Sequence, residues 1–592
     1  MRVADYIFKT LADKGVRHAF LVVGGGAMQL NDALRLEKRI TPVCCHHEQA
    51  CSIAAEGYFR ASGQLPVVSV TTGPGGTNAL TGVIGAWLDS IPMLVISGQV
   101  KFETTIASCP GIGLRQLGDQ EINIVDIVRP VTKYAKMVTD PKAIGAELHR
   151  ALREATSGRP GPVWLDIPLN VQGTILPDDY EFNASAMAAP AVPKPTAAQI
   201  EELKSLLAKS HRPVIIAGHG IRLAEADRDF IAFMERSGIP TVTTFNGFDI
   251  VPSNHPLYFG RIGTIGQRRA NFVLQNADLV LSLGSRNNIR QVSYNWENFA
   301  KRAKKIVIDI DPHELSKPTV RPDLAICSDV GEFLKTADGL GDPAKYADWT
   351  AWCERIRDKY PPHTPDQLAC ENGVNPYHMT AVLSECCPAD AAVGIGNGTV
   401  SIAAFQTWKT KHGQRVFCNS GCASMGYDLP ASLGAAVASD KMTVCLAGDG
   451  SLMMNLQELE TVIYGKLPLK IFLFDNGGYT SIRQTQGNLF SPQFIGCDAG
   501  SGVGFPDFSK LAAALGFPVR IIANHDDIRP CLEEVFKTTN PEFIIVRIPP
   551  SLGFSPKLSA RRLPDGKMVS PSLEDMFPFL DRKEMEENVC KI

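Results

Sequence analysis

Apolar residues in this chain come in short unbroken runs, and each run stops at glycine or at polar residues. In the N-terminal third, residues 19–23 end at Gly24-Gly25-Gly26, 41–45 at His46-His47-Glu48, 67–71 just before Gly73-Pro74-Gly75-Gly76-Thr77-Asn78, and 93–96 at Ser97-Gly98-Gln99. Runs of this length predict strands buried on both faces, with helical stretches between them. Such a pattern folds as a parallel sheet under crossover helices, and the polar groups at the strand ends collect along one edge. Residues 157–168, which include Arg159 and Trp164, add an edge-like strand that closes this region.

The pattern returns twice more. Beyond a linker rich in alanine and proline at 186–195, strands are predicted at 214–217, 241–243, 279–283 and 306–310. A second linker contains Pro361-Pro362 and Thr364-Pro365. Past it, 442–446 runs into Gly448-Asp449-Gly450-Ser451, a helix covers 456–464, and 469–474 runs into Asp475-Asn476-Gly477-Gly478. The predicted fold class is α/β, with three consecutive α/β domains, each a mostly parallel central sheet flanked by helices. They cover 1–185, 197–340 and 375–560, followed by a polar tail, 561–592, that ends in a short helix. A chain of 592 residues is of the right length for three such units.

Composition narrows the function class. With 44% hydrophobic and 20% charged residues the chain reads as a globular enzyme. A net charge of −3 without a long basic block gives no footprint for nucleic acid. Residues 1–20 mix Asp5, Lys9, Asp13 and Lys14 with Val3, Ile7, Phe8 and Leu11, which predicts an amphipathic helix and not a signal peptide. No apolar run reaches the length of a membrane span, so no membrane partner is expected and the cytoplasm is the expected location. The 15 cysteines show no CxxC pairing and fit thiols kept in a reducing compartment.

The chemistry concentrates between residues 442 and 478. Parallel strands joined by a crossover helix bring Asp449 and Asn476 to one sheet edge despite their separation in sequence. One charged and one neutral oxygen ligand, with glycine-exposed carbonyls nearby, suit a hard divalent cation that also takes phosphate oxygens, which points to Mg2+. This spacing and the N-terminal His47-Glu48-Gln49-Ala50 resemble the thiamine-diphosphate enzymes of the pyruvate decarboxylase and acetolactate synthase superfamily. The resemblance covers nearly the whole chain.

It implies a role for each station. Asp449, Asn476 and the carbonyl of Gly478 would hold the metal, and Gly396, Asn397, Gly398, Gly450 and Ser451 the diphosphate. Met425, in Ser420-Gly421-Cys422-Ala423-Ser424-Met425-Gly426, would be the wedge that bends thiamine diphosphate. On position alone Glu48 reads as an acid at a helix N-terminus. By resemblance it is the carboxyl that tautomerises the cofactor's aminopyrimidine. Gly73, Asn78 and Gln120 would line the reaction cavity, with Gln120 counted beside Glu48 as catalytic and Gly24, Gly73 and Asn78 as cofactor-binding. In the middle domain Gly218, Gly220, Gly247, Gly284, Arg286, Arg290, Asp309 and Asp329 follow the order in which acetolactate synthases hold flavin adenine dinucleotide (FAD), in a structural role. The active site would lie between the first domain of one subunit and the third of another, so a homodimer or larger homo-oligomer is implied.

The implied activity is carboligation. A 2-keto acid, most simply pyruvate, loses carbon dioxide and its two-carbon unit passes to a second carbonyl compound, as in acetolactate formation. Four departures from the acetolactate synthase pattern stand out. Asn397-Gly398 replaces a glutamine–histidine pair, Ala423 a frequent glycine, Asp119 a phenylalanine, and Thr485 a tryptophan. Losing two large aromatics widens and wets the acceptor side. A keto-sugar nucleotide acceptor is therefore an alternative. So is a simple 2-keto acid decarboxylase using His46 or His47 as proton donor, and, from another class, a catalytically silent regulatory subunit.

Overall fold

The computed structural model describes residues 1–186, 190–490, 493–562 and 565–591. Positions 187–189 of the expected linker, and 563–564 and 592 of the expected tail, lie outside the described residues. The chain forms three six-stranded sheets, all parallel and flanked by helices, as three consecutive α/β domains.

The first sheet comprises β1 (His18–Leu21), β2 (Thr41–Cys44), β3 (Val67–Val70), β4 (Met93–Gln99), β5 (Tyr134–Met137) and β6 (Pro162–Pro168), in the order β2-β1-β3-β4-β6-β5. The second comprises β7 (Pro213–Ala217), β8 (Thr241–Thr243), β9 (Tyr258–Arg261), β10 (Leu279–Leu283), β11 (Lys304–Asp309) and β12 (Leu324–Cys327), in the order β12-β11-β10-β7-β8-β9. The third comprises β13 (Ala392–Ile395), β14 (Arg415–Cys418), β15 (Thr443–Gly448), β16 (Leu469–Asp475), β17 (Val519–Ile522) and β18 (Glu542–Arg547), in the order β14-β13-β15-β16-β18-β17. Counted from its own first strand, the third sheet repeats the topology of the first. The middle one has the order of a dinucleotide-binding Rossmann sheet.

Several expectations need correction. β6 is not an edge: it is buried along its whole length between β4 and β5, and β5, whose sequence is too polar to announce a strand, takes the edge. β2 is itself an exposed edge strand and not buried on both faces. β4 runs through Ser97-Gly98-Gln99 instead of stopping before them. The first helix is Val3–Asp13, and the chain has already become β1 by His18. Edge strands β9 and β12 escaped the pattern because each is only four residues long, and β9 is broken by Gly260 and Arg261.

The domains share their cores. The helix Glu48–Ser62 packs against Asp428–Ala438 of the third domain so closely that a Cβ on Gly57 would stand 1.9 Å from the Ala431 carbonyl oxygen. Phe248 of the middle domain joins the core beside β13, and Phe245 stacks on Phe405 at 3.9 Å. The tail is not a bystander. Leu573 and Cys590 are buried in the outer helical layer of the middle domain, where Asn271 Nδ2 donates to the Leu573 carbonyl (3.0 Å) and Asn276 Oδ1 accepts from the Cys590 amide (2.8 Å). Among the described residues no helix is long and apolar enough to cross a membrane.

Candidate functional site

Open parallel sheets bind ligands where the strand order reverses, beyond the carboxyl ends of the strands. In the third sheet that point lies between β13 and β15, and the expected metal residues meet beside it. Asp449 Oδ2 accepts from the amides of Asn476 (3.1 Å) and Gly478 (2.9 Å), and Oδ1 from that of Gly450 (2.6 Å). Burial lifts the Asp449 carboxyl to about 6 in spite of these bonds. Asn476 Nδ2 donates to Thr399 Oγ1 (3.1 Å), which leaves its Oδ1 buried and without a partner. A lifted carboxylate beside an orphaned amide oxygen is a donor set that fits a hard divalent cation.

The expected diphosphate residues surround this pair. Gly398, at φ +72°, precedes the helix Thr399–Thr407, and nothing lies within 4 Å of where its Cβ would stand. Open space at a helix N-terminus suits an anion. Gly450 must lack a side chain, since a Cβ there would lie 1.9 Å from the Tyr479 ring. The peptide groups flanking Met425 are tied to the same stations: Asn397 Nδ2 donates to the Ser424 carbonyl (2.6 Å), and Ser451 Oγ accepts from the Gly426 amide (2.9 Å). Asn397 thus acts through its side chain. Ala423, where the resembled family often has glycine, sits at φ +54°, the left-handed region that glycine adopts at least cost.

In the first sheet the reversal lies between β1 and β3. Glu48 opens its helix behind the N-cap His47, is buried, and accepts from Asn78 Nδ2 (3.0 Å). Gly24 abuts Thr71, with 2.5 Å between its would-be Cβ and that side chain, and Gly73 abuts the carbonyl of Gln120 at 2.3 Å in the same sense. Gln120 itself is exposed, at φ +60°. These five residues form one cluster and the metal station another. Among the described residues no hydrogen bond joins Glu48 to Asp449, Asn476 or Met425 within the chain.

The middle sheet reverses between β7 and β10. A cavity of about 430 Å³ opens there, lined by Gly220, Gly284, Arg286, Arg290, Asp309 and Asp329 among others. Gly218 and Gly247 stand behind the wall: the first abuts Ser285 and Gly284, the second the Ala217 carbonyl. Asp309 is buried and lifted to about 6, and Asp329 caps the helix Val330–Lys335 through the Glu332 amide. Arg290 lies over the Phe245 ring, 5.0 Å from its centroid. A second cavity, sharing Arg286, Asn288, Arg290 and Ser420 with the first, extends to Gly421 and Ala423. The walls fit an elongated, partly anionic ligand that would run from the Rossmann switch point toward the Met425 loop.

Sequence reading missed the first domain's share of this cavity. Leu88, Asp89, Ser90 and Arg159 all line it. Arg159 pairs with Asp311 (3.0 Å) and Glu314 (2.9 Å) of the middle domain, and Arg286 donates to the Leu88 carbonyl (2.7 Å). The available signal was Ser157-Gly158-Arg159-Pro160, whose Gly158 at φ +56° turns the arginine out of line before β6 begins.

Comparison with known proteins identifies the family. Residues 1–125 match the thiamine pyrophosphate enzyme N-terminal TPP binding domain, 200–337 the central domain, and 395–546 the C-terminal TPP binding domain. The chain is 32% identical over 559 residues to acetolactate synthase 1, chloroplastic, of Zea mays, covering 92% of this chain and 85% of that protein. It is 32% identical over 558 residues to the acetolactate synthase isozyme 2 large subunit of Escherichia coli (strain K12), covering 93% and 96%. With all three family domains in order on three sheets of matching class, the chain belongs to the thiamine-diphosphate-dependent enzymes, in the company of the acetolactate synthases.

Proposed function

We propose that this enzyme is a carboligase that decarboxylates pyruvate and transfers the two-carbon unit to a second carbonyl compound, a reading supported by its similarity to proteins named acetolactate synthase. The observation that supports the reading is that Asp449 is tied to the backbone of Asn476 and Gly478 at one sheet edge, while a separate buried carboxyl, Glu48, stands at another. Thiamine diphosphate, when bound, supplies the electron sink that makes loss of carbon dioxide feasible. The chain's own residues do the rest. Asp449, Asn476 and the Gly478 carbonyl hold Mg2+, and Gly396, Asn397, Gly398, Gly450 and Ser451 seat the diphosphate. Met425 supports the bend of the cofactor, and Glu48 holds a proton at the pyrimidine ring nitrogen. Gly24, Gly73, Asn78 and Gln120 line the space where substrates meet.

Two chains make one site. Among the described residues Glu48 has no hydrogen bond to the metal station of its own chain, and Val23, Met28, Met453 and Met454 leave apolar surface exposed. A second copy that brings its third domain to this first domain would cover that surface and join the clusters. The middle cavity takes FAD: its place at the Rossmann reversal, with Arg286, Arg290 and Arg159 for the phosphates and Asp309 and Asp329 for hydroxyl or amino donors, supports that reading.

A second reading of the acceptor is favoured by one observation. Asp119 and Thr485 both stand exposed, so an acceptor larger and more polar than pyruvate, such as a keto-sugar nucleotide, fits the same chemistry. Incubation with labelled pyruvate and a panel of keto acids and keto-sugar nucleotides, followed by product identification, decides between them. Release of acetaldehyde alone would reject carboligation. Protein offered FAD and then denatured should release it, and a colourless saturated preparation would reject the flavin reading.

A further inference from the structure

The loop between β14 and the helix Asp428–Ala438 carries Met425, and both of its ends are tied to one buried carboxylate in another domain. Asn419 Nδ2 donates to Glu56 Oε2 (3.1 Å), and the Tyr427 hydroxyl donates to Glu56 Oε1 (3.1 Å). Six residues before Met425 and two after it, the loop hangs from the first domain at a single side chain. The other end of Asn419 shapes the turn, since its Oδ1 accepts from the amides of Cys422 (3.0 Å) and Ala423 (3.1 Å) where the chain bends through the left-handed Ala423.

Glu56 has no freedom to follow the loop. Its side chain is fully buried, and Arg60 binds it (2.8 Å) while also binding Asp89 (2.7 Å). Two glycines clear the space. A Cβ on Gly85 would stand 2.4 Å from Asn419 Nδ2, and one on Gly421 2.4 Å from Asp89 Oδ1. Stability does not require this arrangement, because buried ion pairs are commonly matched or bettered by apolar side chains of similar volume. What the network does secure is a fixed position for the loop, since each bond is directional and both oxygens of Glu56 are engaged.

We infer that Asn419, clamped on Glu56, is a positioning residue that sets the height of Met425 and through it the conformation of the bound cofactor. The inference rests on the reading of Met425 as the support beneath thiamine diphosphate. It gives the first domain of each chain a hold on the cofactor seated in that chain's own third domain, apart from the contribution of Glu48.

The test uses full-length protein saturated with thiamine diphosphate and Mg2+, and reads hydrogen–deuterium exchange at cofactor C2 in acid-quenched samples, with cofactor affinity measured alongside. Asn419→Asp keeps the two turn bonds but removes the donor to Glu56 and sets two carboxylates face to face. It should slow exchange about 10- to 100-fold, the scale of a small misplacement of reacting groups, with cofactor affinity little changed. Adding Glu56→Gln returns a donor to that bond from the opposite side and should restore most of the rate. Tyr427→Phe, which keeps the ring and removes only the hydroxyl bonded to Glu56, serves as the second variant should Asn419→Asp fail to fold, and should slow exchange by a smaller factor. Met425→Ala is the control. If it slows exchange while Asn419→Asp and Tyr427→Phe exchange normally, the clamp is overturned and the reading of Met425 stands. Normal exchange in Met425→Ala would bring down that reading and the inference with it. Failure of the Asn419→Asp, Glu56→Gln pair to recover any rate would likewise count against the clamp.

Discussion

Asn476 Oδ1 and Glu48 show how much a single atom's surroundings say about its use. The first is a buried acceptor with nothing to accept from, and the second is a buried carboxylate with one amide donor, Asn78. Both residues were legible in the sequence from strand-end spacing and motif. The orphaning of Asn476 Oδ1 was not, because it depends on Thr399 drawing the amide nitrogen away. If Glu48 served only the helix N-terminus, Glu48→Gln would cost about 0.3–1 kcal/mol and leave turnover intact. If instead it holds the pyrimidine proton, its loss should slow C2 exchange and product formation together by about 10²–10⁴ while thermal unfolding moves little. Unchanged exchange would return Glu48 to the capping role. A smaller effect is expected at Ala423. Relief of its left-handed backbone by Ala423→Gly is worth about 1–2 kcal/mol, against about 0.4–1 kcal/mol of added chain entropy in the unfolded state. A net stabilisation should appear in denaturant melts, and a loss would show that the methyl group packs usefully.

At the scale of elements, β4 explains where pattern reading stopped short. Ser97 and Gln99 look like the end of a strand, yet they stay in the sheet because Asp166 on neighbouring β6 accepts from Ser97 Oγ (2.6 Å) and Gln99 Nε2 (3.1 Å). A polar pair inside a buried strand is legible only once its partner is known, and the partner lies outside the local window. Burial raises the Asp166 carboxyl from an ordinary 3.8 to about 7. The folded state therefore holds a proton that the unfolded state has released between those values, so this group's contribution to stability is full below about pH 4, falls as pH rises toward 7, and is flat beyond. Asp166→Asn, a neutral near-isostere, should flatten that part of the profile of melting temperature against pH. An unaltered slope would place the titration elsewhere.

On the scale of the whole molecule, strand counting gave the class of fold and the three-sheet layout. It could not give strand order, because order is set by which helices cross which face. That order is the more informative property: it places three reversals, and each sits beside one of the three clusters of expected site residues. Nor could local reading foresee how the units are fastened. Arg261, fully buried on β9, donates to the carbonyls of Phe405 (3.0 Å) and Trp408 (2.7 Å) in the third domain and stacks on Phe248. Arg261→Met leaves two buried carbonyls unpaired and should cost about 2–5 kcal/mol in unfolding experiments, with the middle and third domains losing structure at lower denaturant. A change under 1 kcal/mol would mean that water replaces the guanidinium. The returning tail has a bearing on biosynthesis. The middle domain's outer layer is finished by Leu573 and Cys590, which leave the ribosome after the entire third domain. At about 5–20 residues per second, that layer waits on the order of ten seconds or more for its last pieces. During that interval apolar residues such as Phe272 and Trp352 lack part of their cover, which leaves the nascent middle domain open to non-native contacts until the tail docks.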